Sequence, residues 1–199
     1  MGHYLYVMKA ASIVFVLMLS TIGTALAGVT PAEVKEFNDN KTKAEKGDAS
    51  AQFITGVNFE NGLGVGEDFL QAVVWYRKAA DKGHPEAQTT LGHLYNIGAV
   101  VTRDVAAAAS WWRKAAEQGN HKAQTYLGYC YHEGKGVAKD DIEAYAYWSL
   151  AGVNNQEANI ELSNLEKGMS IYQISAGKKR AKGMQKEIDA RIVAKKAGK

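Results

Sequence analysis

Four sets of residues in this chain have side chains of the kind that do chemistry. Ser175-Ala176-Gly177-Lys178 places a lysine three residues after a serine. At that spacing a lysine can stand beside a serine nucleophile in acyl transfer to a β-lactam or a wall peptide. The companion Lys-Thr-Gly and Ser-Asp-Asn segments of such enzymes are absent from the sequence. The serine also falls inside an amphipathic stretch, and a four-residue pattern with two free positions arises easily by accident. Five histidines raise the question of a metal, but His84 and His121 sit at a helix start. His93 and His132 fall on outward faces of different helices, without the paired spacing a zinc site needs. Asp68, Asp104 and Asp140 recur at one fixed interval, which suits helix caps better than acids converging on one bond. Cys130 is the only cysteine, so no intrachain disulfide can form. Between Tyr129 and Tyr131 it reads as a small buried hydrophobe. Catalytic residues, a metal and a cofactor are therefore not expected.

The interval that spaces the aspartates organises the whole chain. Laid against itself at 36 residues, the sequence aligns three units without a gap, in nine coincident columns. Glycines fall at 47, 83 and 119, at 56, 92 and 128, and at 62, 98 and 134. Alanines fall at 51, 87 and 123 and at 72, 108 and 144. Aromatics fall in three columns: Phe59/Tyr95/Tyr131, Trp75/Trp111/Tyr147 and Tyr76/Trp112/Trp148. The three aspartates complete the set.

Each unit reads as two helices. The first is capped by Asp48, His84 or Asn120, with Pro85 at a first helical position, and ends at Gly62, Gly98 or Gly134. The aspartate column opens the second helix, which carries alanines and large rings along one stripe. Gly56, Gly92 and Gly128 lie inside the first helix, where glycine costs about 1 kcal/mol relative to alanine. Close approach of a tryptophan ring from the second helix would offset that. The sequence thus predicts an all-α solenoid with units at 47–82, 83–118 and 119–154, an N-terminal capping helix within 28–46, and C-terminal capping helices over 155–199. Thr30 and Ser170 each open a capping box, and Ile174, Ala181, Met184, Ile188 and Ile192 form an apolar stripe on a long final helix.

Charge is divided along the chain. Residues 28–166 carry 13 basic and 19 acidic residues, a net −6; residues 167–199 carry ten basic and two acidic, a net +8. The first 27 residues read as a cleavable signal peptide. Lys9 is their only charge, Ala10 to Ile22 is apolar, and Ala25-Leu26-Ala27 precedes the expected cut. A periplasmic or secreted location is expected, with an uncleaved inner-membrane anchor as the alternative.

The run Ala87-x-x-x-Leu91-Gly92-x-x-Tyr95-x-x-Gly98, followed by Asp104-x-x-x-Ala108-x-x-Trp111-x-x-Lys114-Ala115-Ala116-x-x-Gly119, closely resembles the Sel-1-like repeat, a relative of the tetratricopeptide repeat. The third unit departs late, with Leu150 and Gly152 where lysine and alanine are usual. The paired cysteines of the disulfide-stapled exported members are missing. The resemblance implies a curved α/α superhelix and a role in protein–protein interaction, adaptor assembly, envelope regulation or host contact, and no single reaction.

A non-catalytic envelope module that binds a protein or peptide is the expected function. The alternatives are an accessory regulator of a cell-wall enzyme, a secreted host-interaction factor, or a hydrolase built on Ser175. In stacked helix pairs the first helices line the concave face. Their outward columns read as Phe53/Thr89/Thr125, Val57/His93/Tyr129 and Glu60/Asn96/His132, with His93, Asn96, Tyr129 and His132 as candidate contacts. The basic C-terminal helix suits a polyanion or an anionic membrane surface. Nucleic acid is not expected for an exported chain, and a monomer is.

Overall fold

The computed structural model describes residues 29–198; the expected signal peptide lies outside the described residues. Nine α-helices follow one another, with no strand among the described residues. They are α1 Pro31–Glu45, α2 Ala49–Asn61, α3 Phe69–Asp81, α4 Pro85–Ile97, α5 Val105–Ala116, α6 His121–Glu133, α7 Asp141–Ala151, α8 Gln156–Glu166 and α9 Ile171–Ala197. From α1 to α8 each helix packs on the next, giving three hairpins (α2–α3, α4–α5, α6–α7) with α1 before them and α8 after, while α9 packs on α7 rather than on α8. The Thr30 and Ser170 capping boxes both form, and each aspartate of the repeated column accepts from backbone N–H groups of the helix it opens.

What joins helix to helix is a repeated set of contacts. Trp112 lies across Gly92 and donates its indole N–H to the Thr89 carbonyl at 3.1 Å; Trp148 does the same over Gly128 to Thr125, also at 3.1 Å. A Cβ on Gly128 would stand 2.7 Å from the Trp148 ring carbon Cε2, so only glycine lets the second helix come this close. In the first unit the ring over Gly56 is Tyr76, not a tryptophan, and its hydroxyl donates to the Glu60 carboxylate instead.

Between hairpins the device is a buried glutamine. Gln52, Gln88 and Gln124 donate to the Ala44, Ala80 and Ala116 carbonyls at 3.0, 3.0 and 3.3 Å. Each adds a second donor to a last-turn carbonyl of the preceding helix, which also accepts from the N–H of the turn glycine, Gly47, Gly83 or Gly119. Alanines at 79, 80, 87, 108, 115, 116 and 123 are almost fully buried beside them, which brings the helix axes close.

The long basic helix does not extend the stack. α9 folds back across α7, burying Ala181, Met184 and Ile188 with Ala146, Tyr147 and Leu150. Arg180 pairs with Glu143 at 2.6 Å and Arg191 with Glu117 at 2.8 Å. Of the expected stripe, Ile174 is half-buried and Ile192, which faces Pro85 and Gln118 across a hollow of about 290 Å³, is 38% exposed. No helix of the described residues is long and apolar enough to cross a membrane.

Candidate functional site

The columns expected to face outward on the first helices behave in two ways. Phe53/Thr89/Thr125 is a correction: Thr89 and Thr125 are 8% and 2% exposed and belong to the core. Position 89 lies three residues before Gly92, hence on the same side of the helix, beneath the Trp112 ring. The threonine hydroxyls turn back onto their own helix, donating to the Pro85 and His121 carbonyls. Phe53 is half-buried and stacks on His84 at 4.8 Å.

The other two columns reach the surface. His93 is exposed and stacks on Tyr126 at 6.3 Å. Tyr126 in turn lies against Trp112 at 4.8 Å. A cleft of about 220 Å³ opens between α4 and α6, with Asn96 on one side, Tyr126 and Tyr129 on the other, and Trp112 and Cys130 among its walls. At its rim Glu133 and Lys135 pair at 2.8 Å. Asn96 and Tyr129 therefore line one cleft, and His93, a turn before Asn96, stands beside it against Tyr126. His132 lies elsewhere: its Nδ1 lies 2.8 Å from Asp141 at the start of α7, and its ring leans on Trp148 at 5.6 Å.

Tyr129 is the most constrained member. Its hydroxyl bonds the Glu157 and Glu161 carboxylates of α8 at 2.9 and 3.1 Å, and its ring meets Trp148 edge-on at 5.3 Å. Burial first, then the Glu157 carboxylate, holds the phenol well above its ordinary value, so it remains a neutral donor. Cys130 is 6% exposed and burial pushes its thiol up to about 11. A thiol so placed is not a nucleophile at neutral pH.

The other candidates stay apart. Ser175 and Lys178 lie exposed on α9. No group of three or more potential metal ligands occurs among the described residues. His84 caps α4 through Nδ1, accepting from the Ala87 N–H at 3.4 Å. Asp68, Asp104 and Asp140 cap three separate helices.

A cleft walled by stacked helix pairs and lined mainly by rings and an amide defines a class: a helical-repeat solenoid that presents surfaces. The Sel1 repeat model matches residues 49–84, 85–120 and 121–152, just over half of the chain. The chain belongs to the Sel1 repeat family. A Sel1 repeat protein from Oxalobacter formigenes is 37% identical with a TM-score of 0.63, over 65% of this chain and 98% of its own. A protective antigen present in uropathogenic Escherichia coli strains, displaying an SLR fold, is also 37% identical, with a TM-score of 0.58 over 61% of this chain. This chain spans 26% of that antigen's length. No curated protein matches. Sel1 repeat proteins are in general protein-interaction modules.

Proposed function

We propose that this chain is a non-catalytic interaction module of the bacterial envelope, binding a partner protein or peptide at the cleft between α4 and α6. The observation that carries this is the convergence of half-buried Asn96 and Tyr129 on a cleft walled by Trp112 and Tyr126, with exposed His93 stacked on Tyr126 beside it. Aromatic anchors in a partly desolvated cleft with an amide beside them are the usual composition of an interface centre. An extended or helical segment with an apolar side chain would bury it against Tyr126 and Trp112. Its backbone would meet the Asn96 amide. His132, committed to Asp141, acts here by fixing the last turn of α6 and not by direct contact.

Export rests on the Lys9, apolar and Ala25-Leu26-Ala27 pattern. N-terminal sequencing of mature protein should begin at Gly28; protein retained in the cytoplasm with residues 1–27 intact would sink this part of the reading. The binding reading is tested by replacing His93, Asn96 and Tyr129 together with alanine. Loss of partner binding with an unchanged circular-dichroism spectrum is expected, and unchanged binding would refute the cleft. Hydrolysis of nitrocefin or peptidoglycan by purified protein, abolished by Ser175→Ala, would overturn the non-catalytic reading.

A further inference from the structure

The loops inside the three hairpins are not equivalent. Gly64 and Gly136 hold the same place in the first and third, both at φ +72°. Both lie directly on the backbone of the helix before the hairpin. A Cβ on Gly64 would stand 2.7 Å from the Glu33 carbonyl carbon in α1, and one on Gly136 would stand 2.6 Å from that of Val105 in α5. In the middle hairpin this residue is Val100. A β-branched residue pays heavily for a positive φ and cannot seat its Cβ on a helix backbone. Among the described residues no side-chain-bearing residue has a positive φ.

Beside this loop the start of α3 lies open to solvent. Phe69, Leu70 and Val74 are 51%, 69% and 45% exposed. A hollow of about 520 Å³ opens between the outer side of α3, along Leu70, Val73, Val74 and Arg77, and Val100. Three neighbouring large apolar residues left in water on one helix mark a surface that binds.

What such a face accepts is visible two repeats further on. α7 is the corresponding helix of the third hairpin, and α9 lies across it. Gly177 rests on the Tyr145 ring, at the position of Val73. Ala181, Met184 and Ile188 pack with Ala146 and Leu150, at the positions of Val74 and Lys78. We infer that the outer face of α3 is a second docking site, which takes an amphipathic helix of a partner protein, seated as α9 seats on α7.

Charge selects the helix. Where Glu143 holds Arg180 of α9, α3 has Gln71. The polar groups beside the apolar strip are Arg77 and Lys78 against one acid, Asp81. Arg77 donates to the Tyr95 hydroxyl and Lys78 lies over the Trp75 ring; neither pairs with a carboxylate among the described residues. The matching helix carries carboxylates beside its apolar stripe, whereas another copy of the lysine-rich α9 does not. This site rests on the interaction-module reading but not on the cleft between α4 and α6.

The test is fluorescence anisotropy of labelled synthetic peptides with the full purified chain. One peptide has leucine and alanine at helical spacing with glutamate elsewhere. A second has the same composition with the stripe scrambled, and a third has lysine for glutamate. The first should bind, with the other two at least about tenfold weaker, a difference of about 1.4 kcal/mol. Val74→Glu, on an exposed side chain, should keep the melting curve and weaken the first peptide by a similar factor; Tyr129→Ala should leave it bound as before. The proposal is overturned if the acidic peptide fails to bind, if the lysine peptide binds as well, or if Val74→Glu has no effect. A dimer in sedimentation that Val74→Glu dissociates would also overturn it, by giving the face to a second copy.

Discussion

Replacing Gly128 with alanine isolates the contact on which the hairpin geometry depends. In an isolated helix this change stabilises by about 1 kcal/mol. Here the new methyl enters the Trp148 ring, with Cε2 at 2.7 Å from the ideal Cβ. The ring cannot step aside. It is 1% exposed, its indole N–H is tied to the Thr125 carbonyl at 3.1 Å, and Tyr129 and His132 stand against it at 5.3 and 5.6 Å. Forcing a methyl into a packed core costs about 1–3 kcal/mol, and loss of the indole hydrogen bond adds about 1 kcal/mol. Against the propensity gain, the net is a destabilisation of about 1–3 kcal/mol, or a fall of about 2–12 °C in Tm for a domain of this size. Gly183→Ala is the control: it lies within α9 with no atom within 4 Å of an added Cβ, so it should stabilise. Urea unfolding followed by tryptophan fluorescence measures both. A Gly128→Ala protein as stable as the parent would refute the argument that glycine is there for the ring.

The remaining predictions concern other parts of the chain. Burial holds the His84 imidazole below its ordinary value of 6.5, and its cap on Ala87 needs an unprotonated Nδ1. The folded state therefore disfavours the proton relative to the unfolded one, so this contribution is complete above pH 6.5 and fades as pH falls below it. The urea midpoint should drop from pH 7.5 to pH 5, and by less in His84→Asn, which keeps a cap without titrating; an equal drop in both would dismiss the His84 argument. Cys130, buried with its thiol near 11, should react with a disulfide reagent at pH 8 only as fast as the protein opens. Immediate labelling of the native protein would contradict its placement. Met184→Ala should cost about 2 kcal/mol or more if α9 is packed on α7, whereas a solvated terminal helix would register no change by thermal melting.

Much of this fold was legible because the information is periodic. Columns such as Gly92 with Trp112 name both partners of a contact, so helices, caps and the glycine–ring packing could be derived from spacing alone. The glutamines at 52, 88 and 124 stand in a column just as clear, yet polar residues are not sought in a core. Their partners are backbone carbonyls, which leave no mark in a sequence. Thr89 and Thr125 were misplaced because a hydroxyl that bonds its own helix needs no water. The folding back of α9 was hidden for another reason. Its apolar stripe shows that one face is covered, but not by what, and the choice depends on pairs as distant as Arg191 with Glu117. The cleft was partly legible: His93, Asn96 and Tyr129 fall on neighbouring turns of α4 and α6. The engagement of His132 with Asp141 requires the loop between α6 and α7 to be folded before it can be seen.

Photo-crosslinking in living cells tests the central claim most directly, with a photoreactive residue at position 93 beside the cleft or at the remote exposed position 183. A discrete protein adduct from position 93, absent from 183 and lost on Tyr129→Ala, is the result the account predicts. No adduct at 93, or the same adducts from both positions, would contradict it.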